Sequence, residues 1–254
     1  MLPVSSPTSA NGRLSRKDSG MSSSKQTWKF LRRLYKFKHM DFEFAAWQML
    51  YLFIAPRKVY KNFHYHSQTK HQWARDDPAF LVLGAACVLV SCVLYTIVLK
   101  LAFHEFILHL VWVLVFDYII LACAIATAFW FCVNKFMRRP ESDATVEWRY
   151  SFDVHLNAFL PFLVILHIVQ VLLMHAGLEQ FGFVRLLSNA LWLVAFGYYF
   201  YITFLGYFSL PFTHRTVAIL YPIGLFAIIF VLSLVFEWHF SKTLHVFVTY
   251  RVRT

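Results

Sequence analysis

The run AFLVLGAACVLVSCVLYTIVLKLAF at residues 79–103 decides the fold, because its single charge, Lys100, stands near its end. An α-helix needs about 20 mostly apolar residues to cross the hydrocarbon core of a bilayer, and this run exceeds that length. Asp76-Asp77-Pro78 precedes it. Asp77 is suited to cap the helix and Pro78 to occupy its first turn, where a missing N–H costs nothing. Trp73 and Arg75, just upstream, read as anchors at the membrane interface. Downstream, four further apolar runs repeat the pattern: residues 106–133, containing Asp117; 156–176, containing His167 and Gln170; 184–210; and 217–240, with Glu237 near its end. The runs are continuous rather than alternating, which argues against the strands of a transmembrane barrel. The reading is an all-α membrane protein with five transmembrane helices.

Composition points the same way. Of the 254 residues 59% are hydrophobic and 15% are charged, against about 25% charged in an average soluble domain. Such a chain cannot cover its apolar surface with polar groups, so a soluble globular fold is excluded for the larger part. Wholesale disorder is excluded by the same hydrophobicity. The 4 cysteines (Cys87, Cys92, Cys123 and Cys132) all fall inside apolar runs and read as packing residues, not as a disulfide framework.

Upstream of residue 79 the character changes. Residues 1–27 are rich in Ser, lack the apolar core of a signal peptide and read as a disordered tail. Residues 28–78 read as a cytosolic basic amphipathic segment. Trp28, Leu31 and Tyr35 recur at helical spacing, and Lys29, Arg32, Arg33, Lys36 and Lys38 lie among the apolar positions. This mixture suits a helix lying on an anionic leaflet or docking a partner. The same charges also suffice as a topogenic signal, and a Lys/Arg cluster with interleaved aromatics is a third possibility, RNA binding. Phe42–Ile54 follows as an apolar run too short for a full span, better fitted to an interfacial or re-entrant helix.

Positive charge predicts orientation. Residues 1–78 hold 14 of the 24 Lys and Arg, the first interhelical loop has only Lys100, and the second has Lys135, Arg138, Arg139 and Arg149. This alternation expects the N-terminus in the cytosol and, with five spans, a lumenal C-terminal tail at 241–254. Lys242, Arg251 and Arg253 in that tail run against the rule.

Polar groups inside the spans define a candidate intramembrane site: Asp117, His155, Asn157, His167 and Gln170. An acid at that depth must face the bundle or be neutral. Two readings stay open, interhelical hydrogen bonding that fixes packing and a proton or ion path through a small transporter or channel. Pro161 should free the carbonyl of Asn157, and Pro222 that of Ala218. Ala122/Ala126 and Ala124/Ala128 form small-residue pairs suited to close helix approach. No metal or cofactor is expected, since His155 and His167 lie about 120° apart on an ideal helix. No nucleophile elbow, zinc-protease or nucleotide motif occurs, so no catalytic residue is expected either.

Several strings resemble the uncoordinated-fifty homologue family of Golgi multispan membrane proteins: DFEFAAWQMLY from Asp41, QWARDDPAF from Gln72, FDVHLNAF from Phe152, and LWLVAFGYY from Leu191 with TFLGY from Thr203. The resemblance runs from about residue 28 to the end. It implies a five-span, non-enzymatic protein of the Golgi membrane, with the nuclear inner membrane as a second location. It further implies a role in protein transport and vesicle trafficking: cell-surface expression of cargo such as nicotinic acetylcholine receptors, recruitment of an Arf exchange factor, and an RNA-binding activity in one branch. The family brings no catalytic residues to carry over. The basic segment and the loop 134–155 are the expected partner surfaces.

Overall fold

The computed structural model describes residues 28, 32, 40–70, 73–175 and 182–253. Among the described residues five helices are long and apolar enough to cross a membrane: α3 (Ala79–Leu99), α4 (Phe103–Phe136), α5 (Trp148–Leu173), α6 (Phe183–Phe208) and α7 (Thr216–Val235). They are preceded by α1 (Phe42–Ile54) and α2 (Pro56–Lys70) and followed by α8 (Phe240–Arg253). The fold is all-helical as expected, and the described residues contain no β-strand beyond an isolated bridge between Arg138 and Thr213.

α5 is the central helix. It packs between α4 and α6, and α1 and α3 also lie against it. Tyr150, Val154, Ala158 and Leu163 are fully or almost fully buried along it. Small residues admit close neighbours: the Ala122/Ala126 pair of α4 is buried, whereas Ala124 and Ala128 face outward. Gly206 of α6 lies so close to α5 that a Cβ there would sit 2.8 Å from both methyls of Val154. Large apolar side chains such as Ile97, Val115, Val194 and Ile228 are exposed. In a chain with hydrocarbon for a solvent these outward faces need no polar cover.

Some helix boundaries depart from the apolar runs, most of all at the start of α5 and after α7, which ends at Val235. α5 begins at Trp148, eight residues before Leu156, because Arg149 and Asp153 find partners in residues 73–77 and are not left to water. Residues 240–253 form a helix laid back on the bundle in place of a tail. Pro222 sits in the first turn of the α-helical part of α7, after a 3-10 turn at Thr216–Leu220, so it starts the helix and does not break it. Pro161, by contrast, is inside α5 and is followed by a π-helical stretch, Val164–Val169. α4 contains a second such stretch, Val113–Ile120. Asp117 and His167 therefore both stand in wide turns, where angles counted for an ideal α-helix do not apply.

Candidate functional site

At the end of the bundle where α3 and α5 begin, residues 73–78 run between helices and are fastened by buried polar groups. The pivot is Arg75. Its backbone N–H donates to Asp153 Oδ2 at 2.7 Å, and its guanidinium lies 3.7 Å from Asp153 Oδ1. The guanidinium Nε donates to Gln48 Oε1 at 3.0 Å and Nη2 to Asn157 Oδ1 at 2.5 Å. Its plane covers the rings of Phe80 at 4.0 Å and Phe63 at 4.8 Å. Arg149 donates to the Arg75 carbonyl at 2.6 Å. One side chain thus joins α1, α2, α3 and α5. Asp77 adds a second tie: it accepts from Ala79 N–H at 3.0 Å and from Asp41 N–H at 2.7 Å, while Asp41 caps α1 by accepting from Phe44 N–H at 2.9 Å.

Burial sets the electrostatics. The Arg75 and Asp153 side chains are each 9% exposed. Loss of water pushes the Arg75 pKa below its ordinary value, and the Asp153 carboxylate opposes that shift. Burial raises Glu147, whose Oε1 accepts from Trp73 N–H at 3.3 Å. Tyr60 is raised by burial too, although its hydroxyl receives a 3.4 Å contact from Asn157 Nδ2. A cavity of about 270 Å³ lies beside the network, between α1, α2 and the start of α3.

Exposed cations surround this end. Arg57, Lys58 and Lys61 lie on α2, and Lys135, Arg138 and Arg139 at the end of α4. The α4–α5 and α6–α7 loops are zipped together here, with Arg139 N–H donating to the Phe212 carbonyl at 3.0 Å and His214 N–H to that of Met137 at 2.8 Å. Of the basic cluster read from sequence, Arg32 is described and exposed, while Lys29, Arg33, Lys36 and Lys38 lie outside the described residues.

The five intramembrane polar residues do not form one hydrogen-bonded group, although Asp117, His167 and Gln170 all lie under α8 and Asp117 and His155 line one cavity. Asn157 belongs to the Arg75 network. His155 Nδ1 is 2.8 Å from the Tyr199 hydroxyl. His167 Nδ1 is 3.1 Å from the Ser91 hydroxyl. Gln170 donates to the Ser188 hydroxyl at 2.6 Å and to that of Ser241. Asp117 Oδ2 accepts from Arg251 of α8 at 3.1 Å, with its side chain 40% exposed. Each polar group has its own partner, an arrangement of interhelical fasteners more than of a shared path. Among the described residues no group of three His, Cys, Asp or Glu is placed to hold a metal ion.

Arg75, Asp153 and Gln48 are the members that sequence reasoning missed, with Arg75 assigned to the interface. A partial signal existed: Asp153 and Asn157 stand four apart, hence on one helix face, where a buried acid calls for a cation.

Comparison with known proteins adds the family. The UNC-50 family description matches residues 30–249. A relative from Xenopus laevis, "Protein unc-50 homolog B", is 51% identical over the full length of both chains. "Protein unc-50 homolog" from Bos taurus is 49% identical, again over both full lengths. The Drosophila melanogaster homologue is 44% identical over 91% of this chain and 85% of its own. No solved structure matches.

Proposed function

The chain belongs to the UNC-50 family, and from that premise we propose that it is a non-enzymatic, multi-pass Golgi membrane factor in protein transport. Its N-terminus and the α1–α2 end face the cytosol, and α8 lies on the lumenal side. It recruits an Arf exchange factor to the cytosolic face and supports cell-surface expression of cargo receptors such as nicotinic acetylcholine receptors.

One observation supports the reading: α1 and α2, too short or too polar to span, are locked onto the bundle by the Arg75 network, with exposed cations on α2 itself and at the end of α4. A peripheral protein that docked on loose helices would lose affinity to their ordering, and a preformed platform removes that cost. Clustered cations favour an acidic partner surface or anionic headgroups, speeding encounter and setting orientation.

The test uses cells lacking the protein, complemented with full-length variants at equal expression. One variant carries Gln at Lys29, Arg32, Arg33, Lys36 and Lys38; a second carries Gln at Arg57, Lys58, Lys61, Lys135, Arg138 and Arg139. Parent protein should restore Golgi association of the exchange factor and surface delivery of an acetylcholine receptor. At least one charge-depleted variant should restore neither. Recruitment and delivery that are the same with and without the protein would overturn the proposal.

A further inference from the structure

The sequence FSKTLHVFVTYRVR at residues 240–253 is too short and too cationic to cross a membrane, yet it has a built seat. α8 lies across the ends of α3, α4, α5 and α6 remote from α1 and α2. At its start Ser241 shares a hydrogen-bonded triad with Gln170 of α5 and Ser188 of α6, with 2.9 Å between the two hydroxyls. Asn189 Nδ2 donates to the Trp238 carbonyl at 2.7 Å just before it. At its end Arg251 pairs with Asp117 at 3.1 Å and covers the Trp112 ring at 4.4 Å, while Arg253 pairs with Glu105 at 3.0 Å. Val248 and Val252 are buried beneath it.

The middle of the seat holds imidazoles. The ring of Tyr95, buried on α3, has three histidines around it: His109 of α4 at 5.7 Å between centroids, His167 of α5 at 5.6 Å and His245 of α8 at 5.8 Å. His109 is 3% exposed, and its Nδ1 is buried with no hydrogen-bond partner. Among the described residues, the other ionisable or charged groups here are Cys92 on α3, Asp117 on α4 and Arg251 on α8, with Glu105 (beside exposed His104) and Arg253 at the end of α8. The two carboxylates are already taken by the two arginines.

We propose that α8 is a strap whose seat senses protons: it is docked while His109, His167 and His245 are neutral and detaches when they are protonated. The geometry supplies the reason. A proton on His109 adds a buried donor that has no acceptor among the described residues. A proton on any of the three places a charge within about 12 Å of the others in a medium that screens poorly, and His109 lies within reach of both Arg251 and the Asp117 that Arg251 already occupies. Released, α8 exposes His245 to solvent and opens the other two rings, so the released form takes up protons that the docked form excludes. The sign follows from linkage. Docking is at full strength above the ordinary histidine range, about pH 6.5, and is lost as pH falls below it. Each proton taken up on release raises the released-to-docked ratio about tenfold per pH unit in that window. In this role Asp117 is the acid that ties down the strap. The inference stands whether or not the transport reading does.

Full-length protein in lipid nanodiscs tests it, with the four native cysteines replaced by Ala and spin labels on Phe103→Cys and Val246→Cys, both exposed. Pulsed electron–electron distances should show one short, narrow population at pH 7.5. At pH 5.5 a longer, broader population should rise at least tenfold. The triple variant His109→Phe/His167→Phe/His245→Phe keeps ring volume without a titrating nitrogen and should stay short at both pH values. Should the triple variant fail to assemble, the single variant His245→Phe is the comparison, and its response should be cut severalfold. Arg251→Gln should raise the released fraction at both pH values and leave the acid response in place. Identical distances at both pH values in the parent, or an acid response unchanged without the histidines, would overturn the proposal.

Discussion

At the α1–α2 end the Arg75 and Asp153 side chains are each 9% exposed; at the α8 end Arg251 and Asp117 are 15% and 40% exposed. Both are arginine–aspartate contacts between segments distant in the chain, yet they behave differently. Arg75 has given up its water and in return is bonded by Gln48, Asn157 and Asp153 and covered by two rings. Removing any member leaves a charge or a polar group stranded. Arg251 and Asp117 keep partial access to their surroundings, and Arg253 is 50% exposed, so each can find other partners when the helix leaves. A buried network makes a permanent joint, whereas half-exposed pairs make one that can open.

The sharpest way to break the contrast is Arg75→Met. It strands Asp153, and loss of one partner of a buried pair costs about 3–5 kcal/mol. Thermal unfolding of the purified protein should drop steeply, and trypsin should cut at Lys58 and Lys61 of α2 under conditions that spare the parent. The double variant Arg75→Met/Asp153→Leu should recover much of the loss, since an apolar pair can replace a buried ionic one. A double variant as unstable as the single would assign the joint to Gln48 and Asn157 instead.

Next in size is Gly206→Val. Its side chain has nowhere to go between α6 and Val154 of α5, and overpacking of this kind costs about 1–3 kcal/mol. The melting temperature should fall, while the distance between α8 and Phe103 stays unchanged, which separates core strain from strap release.

Asp117→Asn should be milder. Asn keeps an oxygen for Arg251 and loses only the charge, so the contact is weakened and not removed. Cargo delivery should be nearly unchanged, and the docked fraction of α8 should fall slightly at both pH values. Abolished delivery with normal expression would instead assign Asp117 an ion- or proton-carrying role.

Smallest of all is Gly197→Ala. Nothing lies within 4 Å of the position where its Cβ would sit, so helix propensity decides and the gain is about 0.5–1 kcal/mol. A rise in melting temperature here beside the fall at Gly206 would show that only one of the two glycines serves helix contact.

The spans were legible in one dimension because a transmembrane helix satisfies its own backbone hydrogen bonds. Apolar length is then nearly sufficient to identify it, and Ala79–Leu99 could be read without knowing its neighbours. The short α1 was legible for the same reason, with the bounds Phe42–Ile54 set by Asp41 and Pro56. The start of α5 was not, since Arg149 and Asp153 look like loop residues until residues 73–77 are brought to them. Arg251 and Arg253 looked like loose charges of a tail until Asp117 and Glu105 were found opposite. These partners are 78 and 134 residues apart in the cases of Arg75–Asp153 and Asp117–Arg251. No periodicity links positions so distant. A side chain's hydrogen bonds, unlike a helix's own, are completed by whichever segment packing delivers, and the π-helical turns at Val113–Ile120 and Val164–Val169 rotate the very residues whose facing would have had to be guessed.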